Sequence, residues 1–260
     1  MRPHTLGIQG FFKRIVRPWF EPEFKELSEE IKALSDRNRE LDVLCAKQQK
    51  HIQDYSEMLV ALKKTDAKAE YWNNRWPKNK VLYKIDGQHS CDVRNLIFTK
   101  SHVLQSVANS IKGQSINQDD IMKKVLKWTI MNIKYKTDQQ LYGQPELWQN
   151  PEVTYSRKQG DCEDGALLMI TLARLCGIPA YKIKLCAGFV KTGTKGKEGH
   201  AYCIYLADDE KWYTLDWCYW KNESLNNFKK KPHSQNPNYI DIWWTANDEF
   251  SWSQHETILN

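Results

Sequence analysis

One cysteine, one histidine and one aspartate stand in settings that suit nucleophilic thiol chemistry. Cys162 lies in the segment GDCEDGA (160–166), directly before the apolar run LLMITLARLCGIP, which predicts a helix that begins near the cysteine. Unpaired backbone N–H groups and the helix dipole favour a thiolate at a helix N-terminus, and a nearby histidine can lower a cysteine pKa from about 8.5 to below about 7. His200 and Asp216 follow within strand-like runs, as candidates for the base and for the carboxylate that orients it.

The two strand-like runs that carry these residues meet in a turn, and its length decides whether a triad can form. If Leu206 pairs with Glu210, the loop has three residues and His200 lies directly opposite Asp216, with Cβ atoms roughly 5 Å apart. A two-residue turn would shift the register by one and place the two side chains on opposite faces of the sheet. A triad therefore requires a loop with an odd number of residues.

Three acidic residues flank the cysteine and oppose this chemistry. Nearby anions disfavour a thiolate, so Asp161, Glu163 and Asp164 need another explanation. Helix capping or solvation is the favoured interpretation of each residue, and binding of a basic substrate group is the alternative.

Composition limits the function classes. The chain has 260 residues and a formal net charge of +6, to which residues 1–20 contribute four basic side chains and no acidic ones. The remaining balance of +2 lacks the basic stripe of a dedicated nucleic-acid binder, so no nucleic-acid partner is expected. Eleven Trp and twelve Tyr provide enough apolar area for a sizeable core.

The seven cysteines are scattered, and no C-x-x-C pair occurs. This pattern argues against a disulfide scaffold and against a zinc site, so we expect reduced thiols, no metal and no cofactor. The N-terminal residues lack the apolar run of a signal peptide, and no stretch approaches the roughly 18 apolar residues of a membrane span. A soluble protein is expected, either cytoplasmic or associated with a virion.

A heptad pattern runs from residue 24 to residue 62 without Gly or Pro. Ten of its twelve core positions are apolar if Cys and Tyr are counted: a positions Phe24, Ile31, Asn38, Cys45, Ile52 and Leu59, and d positions Leu27, Leu34, Leu41, Gln48, Tyr55 and Leu62. This length favours a coiled coil, and a single Asn at an a position is typical of a parallel two-stranded one. We expect a homo-oligomer or a helical protein partner through residues 24–62. The alternative is an amphipathic helix that packs on its own domain.

The residues before and after the heptads mark further boundaries. Residues 11–20 (FFKRIVRPWF) are basic and aromatic, and we interpret them as an arm that folds onto a neighbouring subunit, with a partner groove or an anionic membrane surface as alternatives. The run YWNNRWPK (71–78) breaks the heptads. The expected parts are an N-terminal arm (1–20), a coiled-coil helix (21–70), a linker (71–80) and a catalytic domain (81–260).

The last of these parts shows mixed patterns. Strands are predicted at 81–85 and 93–98, helices at 101–111 and 119–134, a loop over 142–155, and three strands after the cysteine helix, at 180–190, 200–206 and 211–218. Gly177 is the predicted residue just beyond the end of the cysteine helix. The segment 191–199 is a candidate lid, with a solvated hairpin as the alternative. The tail tryptophans at 243, 244 and 252 either line an acyl-donor groove or pack in the core.

Five motifs together resemble one known family. WQNPEV (148–153), GDCED (160–164), CGIPA (176–180), GHAY (199–202) and LDW (215–217) are similar, in this order and spacing, to the core of the transglutaminase-like superfamily. The resemblance covers about residues 120–220 and is closest to the bacterial and phage transglutaminase-like cysteine proteinases. It implies an α+β, papain-like fold in which the catalytic helix packs on an antiparallel sheet. Cys162, His200 and Asp216 match the catalytic positions of the family.

The resemblance also raises the question of the oxyanion. One donor would be the backbone N–H of Cys162, and papain-like enzymes commonly add a glutamine upstream of the cysteine. Ser156 stands at the expected position, six residues before the cysteine. The remaining candidates for an oxyanion or substrate contact are Trp128, Gln144, Trp148 and Asp161.

These observations favour a cysteine peptidase or amidase that acts on a protein or peptide and is anchored to itself or to an assembly by its coiled coil. Its acyl-enzyme would be a thioester on Cys162, resolved by water. One alternative is a cross-linker that transfers the acyl group of a protein glutamine to an amine. Another is a structural or binding module of a larger assembly, such as a phage virion, in which the triad is secondary or idle.

Overall fold

The computed structural model describes residues 17–191, 196–226, 228–254 and 257–259. Most of the expected N-terminal arm and the centre of the candidate lid lie outside these residues. The chain divides into two compact units, Met1–Ala67 and Lys68–Asn260, which are described separately. Within the described residues, no helix combines the length and the apolar character needed to cross a bilayer.

The first unit consists of the long helix α1 (Arg17–Asn73), whose last residues belong to the second unit. The helix predicted from the heptads is thus present, and it continues into the expected linker. Its apolar a and d side chains are exposed, from 48 % at Leu62 to 70 % at Phe24. No described residue of this unit covers the seam.

The second unit is α+β, as predicted. Its helices are α2 (His102–Gly113), α3 (Gln118–Asn132), α4 (Asp138–Tyr142), α5 (Pro151–Arg157), α6 (Cys162–Leu175) and α7 (Lys221–Asn226). Its strands are β1 (Val81–Lys84), β2 (Ser90–Asp92), β3 (Lys134–Tyr135), β4 (Gln159–Gly160), β5 (Ile183–Lys191), β6 (Lys197–Leu206), β7 (Trp212–Leu215), β8 (Tyr239–Ala246), β9 (Ser251–Ser253) and β10 (Thr257–Leu259).

An antiparallel sheet of five strands, in the order β7-β6-β5-β8-β9, forms the centre of this unit. Helix α6 packs on β5 and β6, and its residues from Glu163 to Ala173 are all buried. Because helices α2, α3 and α5 cover its other sides, α6 is apolar all round and shows no amphipathic stripe. Smaller sheets pair β10 with β1 and β1 with β2, and β3 with β4.

Both ends of α6 follow from local sequence. At its start, the backbone N–H of Asp161 donates to the Asp164 carboxylate at 3.3 Å. At its end, Gly177 has φ +92° and Ile178 donates its N–H to the Ala173 carbonyl at 3.0 Å. This left-handed glycine confirms the predicted helix end.

Two segments differ from the sequence-based prediction. Residues Val93–Leu96 form a 3-10 turn rather than a strand, because Asp92 Oδ1 accepts the N–H of Arg94 at 3.1 Å and starts a turn. The predicted loop over 142–155 contains the beginning of α5. Its Asn-Pro pair starts a helix instead of interrupting one, since Asn150 caps Glu152 N–H at 2.9 Å and Pro151 stands in the first turn.

The β6–β7 hairpin also corrects a prediction. Leu206 pairs with Trp212, and the loop therefore has five residues rather than the three expected from pairing with Glu210. The longer loop is possible because Glu210 adopts φ +61° and donates its N–H to the Ala207 carbonyl. The loop length is odd, as a triad requires, but the register is shifted by two residues. His200 is consequently diagonal to Asp216 instead of directly opposite.

The close approach of Trp217 to α6 gives a stability prediction. A Cβ at Gly165 would overlap the Trp217 indole ring, whereas a Cβ at Gly113, the last residue of α2, meets nothing within 4 Å. We expect Gly165→Ala to lose about 1–3 kcal/mol of unfolding free energy through overpacking. Gly113→Ala should be neutral or stabilise by up to about 1 kcal/mol. Urea unfolding of both variants checks this, and equal stability would contradict the packing described.

Candidate active site

Cys162 is the first residue of α6, as predicted, and is half-buried. Its Sγ donates to Glu163 Oε2 at 3.0 Å. Burial, followed by the charge of Glu163, raises the pKa of the Cys162 thiol well above its ordinary value. The lowered pKa expected at a helix N-terminus is not found in this arrangement. A helix terminus contributes only about 0.3–1 kcal/mol, or up to about 2 kcal/mol when partly buried, and burial beside a carboxylate outweighs it.

His200 and Asp216 form a buried hydrogen-bonded pair. His200 Nε2 lies 2.8 Å from Asp216 Oδ2, and both side chains are 0 % exposed. The pKa of Asp216 is lowered: burial opposes its ionisation, but His200 and further hydrogen bonds stabilise the carboxylate more. An ionised carboxylate can only accept, so Nε2 carries the proton. His200 Nδ1 is buried and bonds to no described residue. Its lone pair is therefore free to accept a proton.

Three further groups hold the Asp216 carboxylate. The Tyr239 hydroxyl donates to Oδ2 at 2.9 Å, and the backbone N–H groups of Cys218 and Tyr219 donate to Oδ1 at 3.0 and 3.1 Å. No sequence pattern marks Tyr239, because β8 joins the sheet from the distant tail. These contacts fix the carboxylate that orients the imidazole.

The segment 217–219 contacts both the cysteine and the histidine. Trp217 Nε1 donates to the backbone carbonyl of Cys162 at 3.1 Å. Tyr219 packs edge-on against the His200 ring, with centroids 4.5 Å apart. Residues that directly follow the aspartate thus link the start of α6 to the imidazole. In the sequence, Trp217 stands out only as part of the LDW motif, and no pattern marks Tyr219.

An acidic cluster lies beside the cysteine. One carboxylate oxygen each from Asp138, Asp161 and Glu163 falls within 4.8 Å of the other two. Asp138 Oδ1, Asp161 Oδ1 and Glu163 Oε1 are buried and have no hydrogen-bond partner in the described part of the chain. Burial and then the charge of Asp161 raise the pKa of Asp138 to about 7. Glu163 is only 3 % exposed. Solvation is therefore the wrong interpretation for this residue. The three residues form a set that could hold a cation.

Asp164 has a different role. Its Oδ1 accepts the backbone N–H of Gln149 at 2.8 Å, and its Oδ2 accepts the Gln149 side-chain amide. Burial, followed by the charge of Asp161, raises the pKa of Asp164 to about 8. Besides capping α6, Asp164 therefore ties the loop before α5 to the helix. Gln149 was not singled out from the sequence.

The four candidates for oxyanion or substrate contact lie in different surroundings. Trp148 Nε1 donates to Glu146 at 2.6 Å, and Trp128 stacks on Tyr155 with centroids 6.0 Å apart. Gln144 is exposed between α4 and α5, and Asp161 belongs to the acidic cluster. Their roles in binding an oxyanion or substrate stay predictions.

Several solved structures are similar to this chain. Calcium-bound LapG from Legionella pneumophila is 18 % identical, with 57 % of this chain and 75 % of that chain covered and a TM-score of 0.43. A protein of Cytophaga hutchinsonii, provisionally called a cysteine protease, is 19 % identical, with 52 % and 46 % covered and a TM-score of 0.39. A TGase is 16 % identical, with 49 % and 31 % covered and a TM-score of 0.33.

No curated protein matches the chain by sequence. The family model described as the transglutaminase-like superfamily matches residues 105–217. This range contains helix α6 with Cys162, strand β6 with His200, and strand β7, which directly precedes Asp216. Members of the superfamily are typically cysteine peptidases or acyltransferases. The resemblance inferred from the five sequence motifs is confirmed by this match over residues 105–217.

Proposed function

We propose that this protein is a thiol-dependent amidase or peptidase acting on proteins or peptides. Cys162 is the nucleophile, His200 the general base and Asp216 the group that orients the base. The observation that carries the proposal is the buried 2.8 Å bond from His200 to Asp216, which leaves His200 Nδ1 without a hydrogen-bond partner among the described residues. Segment 217–219 supports it, because it contacts both Cys162 and His200.

The reaction follows from these groups. His200 Nδ1 accepts the thiol proton while Cys162 Sγ attacks the amide carbonyl carbon, and the backbone N–H of Cys162 donates to the oxyanion. Collapse of the tetrahedral intermediate breaks the C–N bond, and the imidazolium returns the proton to the leaving amine. Water, deprotonated by His200, then hydrolyses the thioester and regenerates the thiol. The first step must break the hydrogen bond from Sγ to Glu163.

The acidic cluster fits a divalent cation with oxygen ligands. Ca²⁺ prefers six to eight oxygen ligands, and Asp138, Asp161 and Glu163 each offer a buried oxygen to which no described group donates. Raised carboxyl pKa values show that the negative charges are costly without a counter-charge. A bound cation would supply positive charge beside the thiol.

The alternative outcome of the same acyl-enzyme is transfer to an amine, which would make the protein a cross-linker of glutamine side chains. Both outcomes share the thioester and differ in the acceptor that reaches it. Hydrolysis is the favoured outcome because the motifs resemble the cysteine proteinases of the family most closely.

Helix α1 supports a second proposal, that two copies associate in parallel through residues 24–62. The exposed a and d side chains form an unpaired apolar seam about 39 residues long, and Asn38 at an a position favours a two-stranded arrangement. Such a coil would anchor the catalytic unit to a second copy.

The thiol mechanism is tested by site-resolved labelling with iodoacetamide, read by mass spectrometry. We expect Cys162 to react faster than Cys91, which is also half-buried, and His200→Ala to slow Cys162 at least about tenfold while Cys91 is unchanged. Hydrolysis of labelled casein, and incorporation of a fluorescent amine into a glutamine peptide, report the two outcomes. Cys162→Ala should lower either activity about 10³-fold or more, and Cys45→Ser should not. A Cys162 rate independent of His200 would refute the assignment.

The cation site is tested by thermal unfolding. At about 100 times its dissociation constant, Ca²⁺ should stabilise the protein by about 2.7 kcal/mol and raise the midpoint by roughly 5–10 °C. Asp138→Asn should abolish this increment, whereas Asp54→Asn, on the exposed surface of α1, should retain it. No increment with the wild type, relative to NaCl of equal ionic strength, would rule the site out.

The coiled coil is tested by light scattering on the full chain. The wild type should show twice the 30.7 kDa chain mass. Leu41→Glu places a charge in the seam and should yield monomers, whereas Val43→Glu changes an exposed apolar residue outside the seam and should leave the dimer intact. A monomeric wild type contradicts the proposal.

A further inference from the structure

A cavity of about 760 Å³ lies on the sheet face opposite α6. Cys203 of β6 points toward α6, since its Sγ donates to the Ala166 carbonyl. Neighbouring strand residues alternate between faces, so Ile204 and its cross-strand partner Lys184 point the other way, into the cavity wall. The catalytic candidates Cys162 and His200 do not line this cavity.

Lys184 is the unusual residue of this wall. Its side chain is 0 % exposed, and its Nζ lies 3.8, 5.4 and 3.5 Å from the ring centroids of Trp76, Trp212 and Trp252. Across the described ranges, Nζ has neither a hydrogen bond nor a salt bridge. Burial lowers the pKa of Lys184 to about 7. The rings stabilise a cation but accept no conventional hydrogen bond.

A second donor in the same aromatic cluster is also unsatisfied. The indole N–H of Trp212 is buried and has no described partner, and its ring packs edge-on against Trp72 and Trp76. Two donors without a hydrogen-bond partner among the described residues, one of them cationic, therefore lie in one tryptophan-rich cavity. Buried donors that stay unpaired are destabilising, so a ligand that supplies acceptors gains binding free energy. The volume is typical of a pocket for a small organic molecule.

We propose that this cavity binds a small monocarboxylate with a flat apolar body. Its carboxylate accepts from the Lys184 ammonium and the Trp212 indole N–H, and its body packs against the tryptophan rings. The buried ammonium of Lys184 matches a negative charge, and the two donors match two carboxylate oxygens. The carboxylate of Glu210 cannot serve in its place, because Lys68 Nζ holds it at 2.6 Å.

The proposal has a pH signature with a defined sign. The carboxylate binds the ammonium form, so bound ligand raises the pKa of Lys184 and binding takes up a proton above about pH 7. Affinity is therefore highest below pH 7 and falls as the pH rises, by at most tenfold per unit. The other titratable or charged groups that face this wall are Arg75, Cys186, Glu210, Lys211, His233, Tyr239 and Asp241. A Lys184→Met variant separates their contributions from that of Lys184.

Calorimetric titration of the full chain with naphthalene-2-carboxylate, and with the neutral 2-naphthylmethanol, tests the proposal. At pH 6.5 the wild type should bind the carboxylate at least tenfold more tightly than the alcohol, and this preference should shrink at pH 9. Lys184→Met should remove the preference. Lys182→Met should retain it, because Lys182 lies outside the cavity and pairs with Asp208 and Gln118.

A second variant keeps the test decisive if Lys184→Met does not fold. Trp212→Phe retains an aromatic ring but removes the indole N–H, and it should weaken the carboxylate about threefold to tenfold without weakening the alcohol. Equal affinity of the two probes for the wild type, binding of neither probe, or a preference that survives Lys184→Met would each overturn the proposal.

Discussion

The burial of helix α6 on all sides is the constraint on which the rest of the structure depends. A surface helix would present its first turn to water, and the acidic residues around Cys162 would be solvated. Here residues from Glu163 to Ala173 are buried, so the same packing that stabilises the core also encloses the acidic cluster. The helix N-terminus alone cannot offset this, which is why the thiol pKa is raised rather than lowered.

Two buried charge arrangements at the site respond to this constraint differently. Asp216 is buried completely, yet His200, Tyr239 and two backbone N–H groups satisfy its oxygens and keep it ionised. The cluster of Asp138, Asp161 and Glu163 has oxygens without donors, so its carboxyl pKa values rise. The first arrangement is complete in the protein itself. The carboxylate oxygens of the second arrangement are satisfied only when protons or a cation are bound, which is the physical basis of the proposed calcium site.

The two faces of the central sheet carry different chemistry. The face toward α6 is a continuous apolar core, and the other face holds Lys184 within a cluster of tryptophans. Tyr239 takes part in both regions, because it lines the cavity and its hydroxyl donates to Asp216. The proposed carboxylate site and the proposed catalytic pair of His200 and Asp216 are therefore built on the same sheet. Of the tail tryptophans, Trp252 lies in the Lys184 cluster and Trp244 packs in the core.

The sequence by itself determined the features that are encoded locally. The start of α6 at Cys162 follows from capping residues, and its end just before Gly177 follows from the left-handed glycine. The long helix α1 follows from heptad spacing. Two local predictions are wrong: Asn150-Pro151, within the predicted loop over 142–155, starts a helix, and the β6–β7 loop has five residues instead of three. Only the tertiary structure decided which charges are buried and which donors lack partners, because Tyr239, Asp138 and Trp76 reach their sites across distant chain segments. Solvation and hydrogen-bond satisfaction depend on every neighbour in space, and sequence spacing does not specify those neighbours.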